Sequence, residues 1–248
     1  MRKATGRRKA MGNPQPPPRW IAVVTMTLPV ERSRRVLMPM IRAISFASCY
    51  VYSPTGTGDV CERSRLLRTL LKAGDANFMT KYALRVQQQS RDEPPLSGFF
   101  GADDVLVPVP GSEPHRPGGL WAAEHLASAL INEGLGHVAW PGLRRVCPVR
   151  KSGTAPPGAR PTVDVHYESF RIEDTPTPPS SVVLVDDVIT KGRTLFAAAA
   201  RVHEAFPGTR IRAFALLRTM GLVASVEHLL DPCKGEIRWV AGDAHRNP

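Results

Sequence analysis

The sequence predicts an α/β fold, a central, mostly parallel twisted sheet flanked by helices, and three observations predict it. Runs of β-forming residues alternate with runs of helical periodicity from Ala43 to Val240. The run Val182–Val185 is apolar at every position, without the alternation of a half-exposed strand, which suits a strand covered on both faces. That run leads through a short turn straight into a helical stretch, the unit from which parallel sheets are built.

Ala43–Tyr52 is rich in apolar and β-forming types and stops at the turn cluster Ser53-Pro-Thr-Gly-Thr-Gly58, so it reads as an early strand. Glu62–Ala73 repeats Leu66, Leu67, Leu70 and Leu71 at helical spacing, with Gly74 as its stop. Asp75 caps a second helix over 76–89, with Phe78, Tyr82 and Val86 on one face. Residues 91–98 read as a polar, Pro-containing connection. Asp104–Val109 is a short strand ended by Pro110, and Gly111–Gly119 is a loop. Leu120–Glu133 is an amphipathic helix ended by Gly134. Leu143–Val149 reads as a strand, and Lys151–Pro161, rich in Gly, Pro, Ser and Ala, as a mobile segment. Ser180–Val185, Gly192–Phe206 and Arg210–Leu217 read as strand, helix and strand, and Glu236–Val240 as a last strand. No internal repeat is visible.

Charge divides the chain. The net charge is +11, but residues 1–42 hold ten Lys and Arg against the single acid Glu31, a net +9 that leaves +2 for the remainder. Residues 1–39 are therefore expected to be a basic, Pro-rich, disordered tail, and residues 40–248 a nearly neutral folded domain. Such a tail can hold nucleic acid or another polyanion without specificity. It also reads as a solvated extension, or as sequence upstream of a start at Met26, Met38 or Met40. Ile21–Val30 is apolar after a basic region, and Arg7-Arg8 resembles a twin-arginine pair. The prolines at 14 and 16–18 and the arginines that follow the apolar run argue against an export signal. No apolar run approaches the ~20 residues of a membrane span. Cys49, Cys61, Cys147 and Cys233 form no Cys-x-x-Cys pair, and the seven histidines show no metal-ligand spacing, so free thiols in a reducing cytoplasm are expected.

The most informative stretch is Val182-Val-Leu-Val-Asp-Asp-Val-Ile-Thr-Lys-Gly-Arg-Thr194. A buried strand ends in two carboxylates, and Thr-x-Gly-x-Thr then opens a helix. Ligands of open α/β sheets bind beyond the carboxyl ends of the strands. A helix start offers unsatisfied N–H groups to a phosphate, Gly192 allows close approach, and Thr190 and Thr194 add hydroxyl donors. Two acids beside a phosphate cradle would repel an anion alone. They suit a ligand with phosphate at one end and a diol at the other, because carboxylates accept strong hydrogen bonds from hydroxyls. Ribose 5-phosphate is such a ligand.

At every position this stretch resembles the thirteen-residue phosphoribosyl pyrophosphate motif of the type I phosphoribosyltransferases: four apolar residues, two acids, two further residues, then Thr-x-Gly-x-Thr. Val105-Leu-Val-Pro-Val-Pro110 and the loop after it resemble the ComF-like branch of that family, as does Leu66–Gly74 more loosely. The four-cysteine zinc ribbon usual in that branch is missing. Gly119-Leu-Trp-Ala122 also departs from its Gly-Phe-Asn-Gln.

The resemblance implies phosphoribosyl transfer from phosphoribosyl pyrophosphate to a nitrogenous base or amine, with Mg²⁺ held indirectly by Asp186 and Asp187. It implies that these two acids orient the diol and that Thr190, Lys191, Gly192, Arg193 and Thr194 hold the 5-phosphate. Gly111, Ser112 and Arg116 would hold pyrophosphate, and Arg150, Lys151 and Arg160 would close over it on the mobile segment. Residues 45–90 or 220–248 would form the variable hood over the acceptor. Trp121 and Trp239 read as core packing or as stacking faces for a base. A homodimer is compatible with the resemblance. Two other functions stay open, a non-catalytic regulator that binds the donor and a ComF-like accessory protein in DNA uptake or handling.

Overall fold

A computed structural model describes residues 41–92, 94–151, 157–173, 175 and 177–248. The tail 1–39 and residues 152–156 of the expected mobile segment lie outside the described residues. All described residues belong to the unit Val36–Pro248.

Strand β1 (Ala43–Tyr52) is followed by helices α1 (Asp59–Ala73) and α2 (Ala76–Asp92). Then come β2 (Val105–Pro108), α3 (Ala122–Asn132), β3 (Val138–Ala139) and β4 (Leu143–Arg145). A 3-10 turn at Pro157–Ala159 leads to α4 (Val163–Ser169) and β5 (Phe170–Ile172). Last come β6 (Ser181–Ile189), α5 (Arg193–Ala205), β7 (Arg210–Thr219), β8 (Leu230–Val240) and β9 (Asp243–Asn247). Seven strands form one sheet in the order β3-β2-β6-β7-β1-β8-β9. The ladders β2–β3, β2–β6, β6–β7 and β1–β7 are parallel, and β8 and β9 extend the sheet antiparallel from β1. Strands β4 and β5 pair as a separate ribbon.

The uniform apolar character of Val182–Val185 has the expected cause. Val182 and Leu184 face a core built with Tyr167 of α4 and Phe196 and Val202 of α5. Val183 and Val185 face the opposite core, built with Leu71 of α1, Met79 of α2 and Leu130 of α3. Alanines 197–200 of α5 are all fully buried, so that helix lies close against the sheet. The expected punctuation also operates. Gly74 ends α1 in the left-handed conformation at φ 68°, and the Asp75 carboxylate accepts from the Phe78 N–H at 2.7 Å.

Strand β6 outruns the sequence reading. It continues through Asp186, Asp187, Val188 and Ile189, because β7 runs on to Thr219 and keeps pairing with it, Val188 opposite Leu217 and Ile189 opposite Arg218. The turn before α5 is therefore only Thr190–Gly192. Residues 143–149 form just the three-residue β4, since their partner is the equally short β5.

Candidate functional site

Beyond the carboxyl end of β2, alongside the last residues of β6, lies a cleft of about 390 Å³. Its walls include Asp186 and Asp187, the loop from Pro110 to Arg116, Trp121, Lys72 and Lys151. The short β2 creates it. That strand stops at Pro108 while its neighbour β6 continues, so both aspartates pass an open edge.

Adjacent residues of a strand leave it on opposite faces. Asp187 accordingly meets α1, whose Lys72 ammonium bonds its Oδ2. Asp186 lies nearer Arg145, and its Oδ1 accepts from the Asp187 N–H at 2.8 Å. Burial, and then the charge of Asp187, hold the Asp186 carboxyl well above the usual carboxylate range. The Asp187 Oδ1 accepts from the Val188 N–H at 2.8 Å.

At the turn, Gly192 takes φ 86° and ψ 6°, and its carbonyl accepts from the Phe196 N–H to start α5. No side chain caps this helix start, so the N–H groups of Arg193, Thr194 and Leu195 have no intrahelical acceptor. A Cβ at 192 would stand 2.7 Å from the Ile237 side chain on β8. Gly192→Ala is therefore expected to cost about 2 kcal/mol through backbone strain and overlap. Urea unfolding would measure it, and a cost below about 0.5 kcal/mol would show that the turn relaxes freely.

The cleft brings together Asp186, Asp187, Gly111, Ser112, Arg116 and Lys151. Lys151 also pairs with Glu113 at 3.6 Å. Thr190–Thr194 are not part of the cleft wall. Thr190 and Lys191 are exposed, Gly192 is buried, and Thr194 is half-buried. The Arg193 guanidinium is turned away, its Nε on the Asp243 carboxylate at 2.7 Å and its Nη1 on the Pro161 carbonyl at 3.2 Å. Its side chain thus ties the turn to β9, leaving only the backbone N–H for a ligand. Arg150 is exposed and Arg160 half-buried, and neither lines the cleft.

The two tryptophans differ. Trp239 stacks on Phe196 at 5.6 Å and packs against the core. Trp121 lines the cleft, donates its indole N–H to the Val109 carbonyl at 3.0 Å, and lies 5.2 Å from the His115 ring.

Sequence reasoning missed three residues of this region. Lys72 stands among the outward cations of an ordinary amphipathic helix, and nothing local marks it. Arg145 and His166 are buried polar residues, only 4% and 3% exposed. Arg145 donates to the carbonyls of Pro110 and Gly111 and to the Ser169 hydroxyl, and its Nη2 lies 3.5 Å from His166 Nδ1. His166 Nε2 lies 3.4 Å from the Thr194 hydroxyl.

Among the described residues no group of three or more His, Cys, Asp or Glu side chains converges as a metal cage. None of the four cysteines is in a disulfide. No helix among the described residues is long and apolar enough to cross a membrane.

No protein-family model matches the chain, and no curated protein matches it. Among solved structures, a hypoxanthine phosphoribosyltransferase from Staphylococcus aureus aligns over 60% of this chain and 70% of its own. Identity is 13% and the TM-score 0.31, a likeness too slight to carry an argument.

Proposed function

We propose that this chain is a Mg²⁺-dependent phosphoribosyltransferase of the type I kind, moving ribose 5-phosphate from phosphoribosyl pyrophosphate to a nitrogenous base or amine. One observation carries the reading. The paired acids of the Val182–Thr194 motif and the Gly-Ser-Arg loop some 70 residues earlier share one cleft. A diol-binding pair and a candidate anion loop on one cavity suit the sugar and the pyrophosphate end of such a donor, and the uncapped start of α5, outside the cleft wall, is left for its 5-phosphate.

In this reading Asp186 and Asp187 accept from the 2- and 3-hydroxyls, and the backbone N–H groups after Gly192 hold the 5-phosphate. The amides of Gly111 and Ser112, with Arg116 and Lys151, hold pyrophosphate. The acceptor nitrogen donates its lone pair to C1 as the bond from C1 to the pyrophosphate oxygen breaks. That oxygen keeps the electron pair, and the proton shed by nitrogen goes to pyrophosphate or solvent. The transition state has oxocarbenium character, so the protein contributes alignment, neutralisation of the leaving group and exclusion of water.

The donor set at the acids is two carboxylates, one already bonded to Lys72. That fits a hard cation carried in with substrate phosphates better than a resident one. When bound, Mg²⁺ would neutralise charge on pyrophosphate, with Asp186 and Asp187 holding it indirectly, through ligand and water. Of the two hood candidates, residues 45–90 bring Lys72 of α1 to the cleft, although 45–52 belong to β1, and most of 220–248 is built into the main sheet as β8 and β9. The ComF-like assignment rests on the Val-Pro-Val-Pro strand end, the loop after it and, more loosely, Leu66–Gly74.

The Lys72 bond to Asp187 favours a second reading, a regulator that binds the donor without transfer. A carboxylate already paired with a protein cation has less to offer the reacting sugar. Pyrophosphate release from the donor, assayed with Mg²⁺ and a panel of purines, pyrimidines and simple amines, separates the two. Acceptor-dependent release is expected. Donor binding without release from any acceptor would establish the regulator, and no donor binding would remove both.

A further inference from the structure

Two buried polar side chains span the space between the anion loop and the start of α5. Arg145 of β4 has the Pro110 and Gly111 carbonyls on one side, with its guanidinium 4.2 Å from the centre of the Phe170 ring. His166 of α4 lies between Arg145 and Thr194. Residues of loop, strand, helix and helix start thus meet in one chain of hydrogen bonds. We propose that Arg145 and His166 are positioning residues that aim two candidate anion-binding segments, the loop after Pro110 in the cleft and the start of α5 outside its wall, an inference that rests on the phosphoribosyl reading above.

The aim follows from donor and acceptor arithmetic. A guanidinium carries only donors, so His166 Nδ1 must accept from Arg145. Burial, and then the charges of Arg145 and Arg193, push the His166 pKa down to about 4, so the ring is neutral near pH 7 and its one proton sits on Nε2. That proton points at the Thr194 oxygen, which accepts it. The hydroxyl hydrogen of Thr194 is then turned away from His166. It is left to donate to an anion at the helix start.

Arg145 acts in the same way on the loop. In a trans peptide the C=O and the following N–H point in opposite directions. Carbonyls 110 and 111 held by Arg145 therefore turn the N–H groups of Gly111 and Ser112 the other way, and both residues line the cleft.

The test uses the full chain, with ribose 5-phosphate and inorganic pyrophosphate as separate calorimetric probes. His166→Phe keeps a flat ring that can stack on Phe170, at the cost of a somewhat larger ring, and removes both nitrogens. It is expected to weaken ribose 5-phosphate about tenfold, the scale of one hydrogen bond to a charged group. Thr194→Val should do the same, and the double variant should bind no worse than either alone. His166→Gln, whose amide can still donate to Thr194, should recover affinity to within about threefold of wild type. Arg145→Lys, which keeps charge but not the fork, should instead weaken pyrophosphate about tenfold.

Losses that add, or a His166→Phe variant that binds ribose 5-phosphate as wild type does, would overturn this inference alone. Failure of the wild-type protein to bind either probe would overturn the phosphoribosyl reading and this inference with it. Should a variant fail to fold, nitrogen NMR of the wild-type histidines decides. A proton on Nε2 of His166 supports the relay, and a proton on Nδ1 overturns it.

Discussion

Replacing both acids, Asp186→Asn with Asp187→Asn, is expected to cut affinity for phosphoribosyl pyrophosphate at least about a hundredfold while leaving the domain folded. When ionised, each carboxylate contributes charge-assisted bonds to the diol, at about 1.5–3 kcal/mol apiece, and hydroxyls donating to Asp186 favour its charged form in the complex. The amides that replace the acids keep the shape without the charge. Calorimetry with donor and Mg²⁺ on the folded double variant measures the loss, and undiminished affinity would remove the acids from the site. The single variant Asp186→Asn carries a stability signature of opposite sign. Burial raises the folded-state pKa of Asp186 above its ordinary value. The folded state then holds a proton that the unfolded state has released, so stability falls as pH rises from the ordinary carboxylate range through the raised value. Asn removes that penalty. Asp186→Asn should unfold at a higher temperature than wild type at neutral pH, by about 2–4 °C if the gain is 1 kcal/mol. The gain should vanish once pH falls below the ordinary carboxylate range.

The largest loss of stability is expected at the other end of the strands. Asp104, 1% exposed, accepts from the Ser181 hydroxyl at 2.7 Å and the Gly101 N–H at 2.6 Å, and it pairs with Arg212. Ser181 opens β6, Arg212 lies early in β7, and Asp104 directly precedes β2, so one carboxylate ties three parallel strands at their amino ends. Asp104→Ala would strand a largely buried guanidinium, a hydroxyl and an amide together. A loss of about 3–5 kcal/mol is expected, as for the breaking of a buried ion pair. Asp104→Asn, which keeps the shape and part of the bonding, should lose less. Because the cleft lies at the opposite ends of these strands, ligand affinity of the folded variant should stay close to wild type. Denaturant unfolding and calorimetry together check both halves, and a loss under about 1 kcal/mol would contradict the account.

The central fold was legible because its signals are local. Val182–Val185 announced a strand buried on both faces, and the leucines of α1 and the Asp75 cap announced their helices without help from distant residues. The strand past Asp186 was not legible, since its length is set by the partner β7 rather than by its own residues. The start of β8 hid behind Pro232 and Gly235, residues that argue against a strand. Pro232 is tolerated because β9 pairs only with Glu236–Val240, which leaves β8 an edge strand where the proline sits. Helix α4, at seven residues, is too short to show a period, and β4 and β5 have three residues each.

The site divided along the same line. Asp186, Asp187 and the Gly192 turn belong to one continuous motif and could be read directly. Arg145 and His166 act through partners at 110, 111 and 194, a set that only the folded chain assembles. Arg193, placed by its motif position among phosphate contacts, instead finds a carboxylate on β9, fifty residues later.

A crystal structure of the protein soaked with ribose 5-phosphate would test the account at its root. The 2- and 3-hydroxyls are expected within hydrogen-bond distance of the Asp186 and Asp187 carboxylates, with the phosphate on the backbone N–H groups that follow Gly192. A sugar bound with its phosphate toward the acids, or lodged away from the cleft altogether, would contradict it.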